Sequence, residues 1–234
     1  MRLSILFISF LIFVGTMSAQ RFATMIDSEN IAWLRDYTIK TVDGEKFEAK
    51  MLSSYSVTNG RLKSFSFKTE DGVKHKYKAD QIEVLTAKLT KLAKAATISD
   101  AATKSIESAV TTDYAGIIAE NKVRFNSVIY NKKKGKTALL QLINYGFDQK
   151  LKVYPDPFSE SGVTTINDVA VSGGIIKTYF VVKGDESYKL NKKTYKTLYG
   201  IIFSDCEEMT VEPESISIDN LCEDILKYNQ FCNN

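Results

Sequence analysis

Residues 41–78 read TVDGEKFEAKMLSSYSVTNGRLKSFSFKTEDGVKHKYK, and this stretch decides the fold. It contains the turn pairs Asp43-Gly44, Asn59-Gly60 and Asp71-Gly72. Asp-Gly and Asn-Gly are strong hairpin signals, because both central residues of a type I′ turn need a positive φ. The sequence therefore predicts successive β-hairpins with type I′ turns at these pairs.

The segments between these turns alternate between apolar and polar side chains. Phe65 and Phe67 alternate with serines and a lysine, and His75 and Tyr77 alternate with lysines. A period of two is typical of a strand with one buried and one solvent-exposed face. We therefore predict an antiparallel meander within an N-terminal β segment, 20–84. Its predicted strands are residues 36–41, 46–57, 61–69 and 73–79, the last continuing towards residue 84.

Residues 85–122 have a different composition, rich in Ala, Thr, Ser and Lys. Leu85, Leu89, Leu92 and Ala96 fall at helical spacing. We predict a helical insert that covers the sheet. The alternative is a basic amphipathic helix that lies on a membrane surface.

Strand patterns return over a second β segment, 123–190. We interpret the lysine-rich stretch 131–136 as a solvated hairpin tip, with a phosphate or acidic-glycan contact as the alternative. The loop 155–162, which contains two prolines, is a candidate binding edge. The predicted strands are 123–130, 137–144, 149–154, 163–171, 175–183 and 187–190.

The last region, 191–234, is predicted to be helical. Asn191 and Ser217 are candidate caps for two helices, because their side-chain oxygens can accept hydrogen bonds from the first backbone amides. The second helix has apolar residues at spacings of three and four, so one face should pack on the sheet. The predicted fold class is α+β and mainly β, with antiparallel meander sheets forming a sandwich or a partly closed barrel, a helical insert and C-terminal helices.

Residues 1–19 have the layout of a cleavable signal peptide. Arg2 supplies the positive charge, residues 3–15 are apolar, and Ala19 is the small residue before the expected cut, with Gln20 as the mature start. The apolar run is shorter than the roughly 20 residues of a transmembrane helix. We therefore expect an exported mature chain without a transmembrane span, in the periplasm, the cell envelope or the extracellular space.

Three cysteines occur, Cys206, Cys222 and Cys232, so at most one pair can form within the chain. A helix from Cys222 to Cys232 would hold the two about 15 Å apart, too far for a disulfide. We favour a Cys206–Cys232 disulfide, which would tie the last helix to the preceding one. Cys222 is then expected as a small buried apolar side chain, and a catalytic thiol is the alternative.

The motifs of several common chemistries are missing from the sequence. His75, the single histidine, lies between lysines and is interpreted as a surface residue, which leaves no partner for a serine triad or a metal site built on several histidines. Neither a phosphate-binding glycine loop nor a calcium loop occurs. We therefore expect no cofactor and no metal. A catalytic site of two carboxylates, as in glycosidases, is not excluded, because the chain contains many acidic residues.

The balance of basic and acidic residues indicates whether the chain binds nucleic acid. The chain has 31 basic and 28 acidic residues; without residues 1–19, which carry one arginine and no acid, the balance is 30 to 28. A nucleic-acid binder usually has a concentrated basic face. The small, interspersed excess of positive charge therefore argues against nucleic acid as a partner.

Four stretches resemble exported, β-rich proteins of uncharacterised function from Bacteroidetes-type bacteria. They are GRLKSFSFKTEDGVKHKYKADQIEVL, KTALLQLINYGFDQKLKVY, TYFVVKGDESYKL and the ending YGIIFSDCEE followed by YNQFC. In those proteins an Asp-Cys and a Tyr-Asn-x-x-Cys ending recur, matched here by Asp205-Cys206 and by Tyr228-Asn229 with Cys232. The resemblance covers most of the chain after residue 36 apart from the predicted insert. It implies a Gram-negative periplasm or envelope and the Cys206–Cys232 pair, but no activity.

These observations favour a non-catalytic envelope protein that acts by binding or assembly, with an envelope protein or a glycan as the partner. Its contact surfaces would be the sheet faces and the loop 155–162. One alternative is an envelope hydrolase that uses carboxylates alone. Another is a carrier of apolar ligands, which needs a large interior cavity.

Overall fold

A computed structural model gives the fold of the chain and describes residues 22–23, 31, 34–56, 62–90, 122–156, 164–166, 169–172 and 178–232. In chain order the strands are β1 (Arg35–Thr41), β2 (Lys46–Ser56), β3 (Leu62–Lys68), β4 (Lys74–Lys78), β5 (Ile82–Lys88), β6 (Lys122–Asn131), β7 (Lys136–Gln141), β8 (Leu151–Pro155), β9 (Thr164–Ile166), β10 (Val169–Ser172), β11 (Tyr179–Lys183) and β12 (Glu186–Leu190). Two α-helices follow, α1 (Thr194–Ile202) and α2 (Leu221–Phe231).

The largest unit is a seven-stranded antiparallel sheet in the order β4-β3-β2-β1-β5-β6-β7. The first four strands form the predicted meander, and β5 returns to pair with the free side of β1. The sheet is open, because β4 and β7 form its two edges in the described part of the chain. The predicted class, mainly antiparallel β with C-terminal helices, is confirmed.

The predicted start of the helical insert at Leu85 is wrong. Leu85 lies in the middle of β5, where it pairs with Ile39 on one side and Phe125 on the other. Leu85, Ala87 and Leu89 are all buried, which is the period of two of a strand. A spacing of four residues between leucines fits the period of a helix as well as that of a strand. The helical interpretation was therefore wrong. The rest of the predicted insert, 91–121, lies outside the described residues.

The predicted type I′ turns are also wrong where the structure describes them. Between β1 and β2, the amide of Gly44 donates to the carbonyl of Thr41 at 3.1 Å, and Gly44 has a φ of 92°. Asp43 has no positive φ, so the arrangement is a type I turn followed by a glycine bulge. The β3–β4 turn repeats it, with a φ of 89° at Gly72. The pair Asn59-Gly60 lies outside the described residues.

One face of the seven-stranded sheet carries the largest apolar core. Residues directly opposite each other on neighbouring strands share a face, and Ile39 is opposite Phe47 on one side and Leu85 on the other. The same face continues through Phe125 on β6, while Phe67 lies on it at β3. This continuous apolar face is the reason the sheet assembles.

Strands β6 and β7 carry buried side chains on both faces, so they join the large sheet to a smaller one. Val128, Ala138 and Leu140 point away from the core just described and pack with Tyr154 and Phe180. Those two residues belong to a three-stranded sheet of order β12-β11-β8. The described part of the predicted strand 163–171 forms a separate two-stranded pair, β9 and β10.

The two helices cover the other face of the three-stranded sheet. The predicted cap at Asn191 is confirmed: its side chain accepts from the amides of Lys193 and Thr194 at 2.8 and 2.9 Å, just before α1. Ser217 accepts from the amide of Asp219 at 3.3 Å and caps a short 3-10 turn that leads into α2. Apolar residues of both helices and both faces of β8 and β11 thus build a sheet–sheet–helix layering.

Candidate functional site

Three aromatic rings gather where the apolar face of the large sheet reaches its β4 edge. Ring centroids are 5.5 Å apart for Phe47 and His75, 5.7 Å for Phe47 and Tyr77, and 6.1 Å for His75 and Tyr77. The angles between ring planes are 31°, 30° and 8°, so His75 and Tyr77 stack on one another and Phe47 is tilted against both. Each side chain is half-buried. We call these three residues the aromatic platform.

Register explains why these side chains share one face. His75 lies directly opposite Phe67, and Tyr77 lies directly opposite Phe65, while both phenylalanines are almost completely buried. The lysines of β4 alternate with His75 and Tyr77 and therefore lie on the opposite face. Interpreting His75 as a surface residue was therefore incomplete, because its ring belongs to the apolar face.

Buried rings support the platform from below. Tyr77 is 6.4 Å from Phe67 between ring centroids, and Phe67 is 6.0 Å from Tyr37. The Tyr37 hydroxyl donates to the carbonyl of Ile31 at 2.5 Å, and burial raises the pKa of this tyrosine. A continuous column of rings therefore runs from the core to the surface and restricts the motion of the platform.

A repeated sequence builds both sides of the platform. Residues 41–50 read TVDGEKFEAK and residues 69–78 read TEDGVKHKYK, with Thr, Asp, Gly and two Lys at matching positions. Each copy is a hairpin turn and the strand that follows it. Phe47 and His75 occupy the same position in the two copies and contact one another. This repeat is the sequence signal that would have identified the site.

The two turns place carboxylates beside the rings. The Thr41 hydroxyl donates to Asp43, and the Thr69 hydroxyl donates to Asp71 at 2.5 Å. These hydrogen bonds are the largest cause that lowers the pKa of each aspartate below the ordinary value of 3.8. Both carboxyl groups are therefore ionised at neutral pH.

The hydroxyl of Tyr77 lies close to the same acidic rim. Burial is the largest cause that raises the pKa of Tyr77, followed by the charges of Glu45 and Asp43 and a hydrogen bond with Glu45. The charge of His75 contributes in turn to lowering the pKa of Asp71. Tyr77 and His75 thus interact electrostatically with carboxylates of the two turns.

A second group of polar residues lies under the C-terminal helices. The Lys183 Nζ donates to Asp205 Oδ1 and to the carbonyl of Ile202, both at 2.6 Å, and the Tyr228 hydroxyl donates to Asp205 Oδ2 at 2.9 Å. Burial alone would lower the pKa of Lys183, but its hydrogen bonds with Asp205 and Tyr228 raise it overall. This arrangement fixes α2 to β11.

The favoured cysteine pair lies beside this group. Cys206 and Cys232 are at disulfide distance, with their Cα atoms 5.4 Å apart. Cys222 is half-buried and packs against the core under the helices. The side chain of Asn229 accepts from the amides of Lys150 and Leu151 at 2.8 and 3.2 Å. The residues of the Asp-Cys and Tyr-Asn-x-x-Cys motifs thus all make contacts that hold the last helix to the rest of the fold.

The structure brings one further pair together that the sequence did not indicate. The Tyr195 hydroxyl on α1 donates to Asp224 Oδ2 on α2 at 2.5 Å. Burial is the main cause that raises the pKa of Asp224. The neighbouring Tyr199 has a buried hydroxyl without a hydrogen-bond partner, and burial raises its pKa to about 12.

One group of metal-ligating atoms was found in the described part of the chain. Sulfur atoms of Cys206 and Cys232 and a carboxylate oxygen of Glu208 lie within 4.8 Å of one another. Because both sulfurs belong to the disulfide, Glu208 is the single remaining ligand. The oxidised protein therefore offers no metal site at this place.

The remaining predicted site residues are placed as follows. The stretch 131–136 is a hairpin tip between β6 and β7, and Lys132 Nζ contacts Glu186 at 2.6 Å. Of the loop 155–162, residues 155 and 156 are described; Asp156 is buried and pairs with Lys189 at 2.7 Å. The expected cleavage point, Ala19 and Gln20, lies outside the described residues.

No known protein family, curated protein or solved structure matches the chain. In the described residues, no helix combines the length and the apolar character needed to cross a bilayer.

Proposed function

We propose that this protein is an exported, non-catalytic component of the periplasm or cell envelope that acts by binding. The observation that carries the proposal is the aromatic platform, where Phe47, His75 and Tyr77 are half-buried at the end of the apolar face of the large sheet. Aromatic side chains that are held by packing and reach the solvent provide large contact area at low entropic cost.

Two features support export. Residues 1–19 have the layout of a signal peptide, and a cysteine pair at disulfide distance fits an oxidising compartment. The disulfide and the hydrogen bonds of Asp205 hold the last helix against the rest of the fold. Export to the periplasm or envelope remains part of the proposal.

Binding is favoured over carboxylate catalysis because several acids of the described residues are held in ion pairs with lysines. A glycosidase needs two carboxyl groups facing a cleft, one of them with a raised pKa. Asp224 has a raised pKa, but its carboxylate accepts from buried Tyr195 between two helices. The acids paired with lysines are Asp36, Glu83, Asp156, Glu186 and Asp205.

Binding at the surface is also favoured over the transport of an apolar ligand. Such a carrier needs an interior cavity of several hundred Å³, on the order of the ligand's own volume. The apolar face of the large sheet is instead occupied by Ile39, Phe65, Phe67 and Leu85, none of which is more than 1% exposed.

The test is co-sedimentation of purified residues 20–234 with washed cell-envelope fragments. The expected result is that the protein pellets with the fragments, stays in solution without them, and releases no soluble product from them. A protein that stays in solution with every envelope fraction contradicts a binding role. Release of soluble fragments contradicts a non-catalytic one.

A further inference from the structure

We propose that the polar face of β2, β3 and β4 binds the anionic surface of a lipid bilayer. The inference goes beyond the aromatic platform, since it concerns the opposite face of the same sheet, and it names a partner for a protein proposed to act by binding. Five exposed lysines form what we call the basic face. They are Lys50, Lys68, Lys74, Lys76 and Lys78.

The register of the sheet brings these lysines together. Lys50 lies directly opposite Lys68, and Lys68 lies directly opposite Lys74, so one lysine row crosses three neighbouring strands. Lys76 and Lys78 follow Lys74 along β4 on the same face, because side chains two residues apart on a strand share a face. A chain with a nearly balanced total charge thus has a locally basic surface.

Few acids lie near the basic face. On the same side of β2, alternation adds Lys46 and a single acid, Glu48, while β3 and β4 contain no acid. The turn between β3 and β4 contributes Glu70 and Asp71. Six lysines therefore still outnumber three acids when this turn is included.

Ion pairs do not neutralise the five lysines of the basic face within the part of the chain that the structure describes. Other lysines of the same sheet are paired. Lys40 on β1 contacts Glu83 at 2.7 Å, and Lys88 on β5 contacts Asp36 at 2.9 Å. The positive charge of the sheet is therefore uncompensated mainly on β2, β3 and β4.

The protection of a sheet edge explains only part of this arrangement. Lysines on an edge strand hinder pairing with another sheet, and β4 is an edge in the described part of the chain. Lys50 and Lys68, however, belong to β2 and β3, which are paired on both sides. Like charges directly opposite each other destabilise a sheet. The row therefore costs folding stability, and a ligand with negative charge would relieve the repulsion.

The form of the basic face favours a bilayer as the source of negative charge. Two strand spacings and four residues along β4 give it dimensions of about 10 Å by about 13 Å. The described strands β2, β3 and β4 carry lysines and no arginine. Lysine ammonium groups act as point charges, whereas arginine clamps a single phosphate with two hydrogen bonds. Spread lysines of this kind are attracted to anionic headgroups.

A tyrosine on the same face fits the headgroup region. Tyr55 lies directly opposite Ser64, and Ser64 lies directly opposite Lys78. The side chain of Tyr55 is 61% exposed. Tyrosine is enriched at membrane–water interfaces, because its ring is apolar and its hydroxyl is polar. Lysines and an exposed tyrosine on one face therefore match a lipid surface.

The experiment is sedimentation of residues 20–234 with sucrose-loaded vesicles at low and high salt. One set of vesicles contains equal amounts of phosphatidylglycerol and phosphatidylcholine, and the other contains phosphatidylcholine alone. Fluorescently labelled heparin and duplex DNA, followed by anisotropy, serve as soluble polyanions. These arms distinguish a lipid surface from an acidic glycan and from nucleic acid.

The main variant removes the lysine row by Lys50→Gln, Lys68→Gln and Lys74→Gln together. Glutamine keeps a long polar side chain and removes the charge. Because the substitutions also remove directly opposed like charges, urea unfolding should show a variant at least as stable as the wild type. A second variant, Lys76→Gln with Lys78→Gln, tests the same face without the row.

The matched control removes three exposed lysines in the helix layer. It combines Lys192→Gln, Lys193→Gln and Lys196→Gln, at the start of α1. This variant changes the net charge of the protein by the same amount as the row variant. A difference between the two therefore reports the position of the charges and not their number.

We expect the wild type to sediment with the anionic vesicles, to stay in solution with phosphatidylcholine alone, and to be released by high salt. The row variant should bind about 100-fold more weakly and the Lys76–Lys78 variant about 25-fold more weakly. The helix-layer variant should bind within about twofold of the wild type, because salt screens distant charges.

Three results would overturn the inference. They are equal binding to both kinds of vesicle, an equal loss in the row and helix-layer variants, and binding to heparin or DNA without binding to anionic vesicles. If the wild type binds no vesicle but still sediments with envelope fragments, the binding function stands and the lipid partner is wrong.

Discussion

The hydroxyl of Tyr228 donates to Oδ2 of Asp205 at 2.9 Å, and this bond links the last helix to the segment that follows α1. The other carboxylate oxygen accepts from Lys183 on β11 at 2.6 Å. Asp205 thus joins three elements that are far apart in sequence. Cys206, the next residue, adds the covalent link to Cys232.

Substitutions in this group should have graded effects. Tyr228→Phe removes one hydroxyl and leaves Asp205 paired with Lys183, so we expect a loss of about 1 kcal/mol in the free energy of unfolding. Asp205→Ala leaves Lys183 and Tyr228 without this acceptor, so the loss should be larger, about 2–3 kcal/mol. Urea titrations measure both values. Equal losses, or none, contradict the assigned role of Asp205.

The disulfide should stabilise the protein substantially. It closes a loop with a sequence separation of 26 residues. The loss of chain entropy in the unfolded state corresponds to about 3.5 kcal/mol for such a loop. We expect this loss for the double variant Cys206→Ser with Cys232→Ser, measured by urea unfolding, while Cys222→Ser serves as the control.

Alkylation in denaturant without a reductant tests the pairing itself. Intact mass should show one modified thiol, that of Cys222. Three modified thiols in the exported protein contradict the disulfide.

The partly buried Asp224 carboxyl should make stability depend on pH, although the hydrogen bond from Tyr195 opposes the effect. Burial raises the pKa of Asp224 in the folded state, so the protonated form is favoured there. The associated stability is fully present below the unfolded pKa of about 3.9 and is lost as the pH rises through the folded pKa. Asp224→Asn keeps an acceptor for Tyr195 without the charge, so unfolding free energies from pH 4 to pH 7 should lose this dependence. An unchanged pH profile contradicts the assignment.

A matched substitution separates the charge of Asp224 from its hydrogen bond. Asp224→Ala leaves the hydroxyl of Tyr195, which is 1% exposed, without its acceptor. The expected cost is about 1–3 kcal/mol in the free energy of unfolding. If Asp224→Ala is as stable as Asp224→Asn at pH 7, the hydrogen bond does not contribute to the free energy of unfolding.

The repeated turns offer a prediction with an internal control. Thr41→Val removes the hydroxyl that donates to Asp43, so the pKa of Asp43 should rise towards 3.8, while the pKa of Asp71 stays unchanged. Thr69→Val should do the reverse. Carboxyl-carbon NMR against pH measures all four values.

The two turn aspartates also predict that acid lowers the stability of the folded state. Because folding lowers the pKa of both aspartates, their contribution to stability is present above about 3.9 and is lost as the pH falls through the folded pKa. Each Thr→Val variant should therefore be less sensitive to acid than the wild type. Carboxyl resonances that titrate alike in all variants contradict the hydrogen-bond origin of the shifts.

Features set by local chemistry could be predicted from the sequence. The meander β1–β4 follows from alternation and turn residues, and the caps Asn191 and Ser217 follow from side-chain type and position. The turn class was wrong because each loop closes with a bond from the glycine amide to the threonine three residues earlier, and only the glycine takes a positive φ. The predicted start of the insert was wrong because the spacing of Leu85 and Leu89 fits a strand as well as a helix.

Features that depend on distant residues could not be predicted. Asp205 and Lys183 meet only because α2 packs on the three-stranded sheet, and nothing in their neighbourhoods indicates a pair. His75 lies between lysines, and only its position opposite Phe67 shows that its ring faces the core side. The aromatic platform could therefore be recognised only from the register between β3 and β4.

The most direct test of the binding surface is a ¹H–¹⁵N NMR titration of residues 20–234 with oligosaccharides released from the cell envelope. We expect amide shifts to change at residues 43–47 and 71–77, which form both turns and the platform strands. The helix layer around Asp205 and Asp224 should stay unchanged. Shifts confined to the helix layer, or none at saturating oligosaccharide, would contradict the platform as the site of binding.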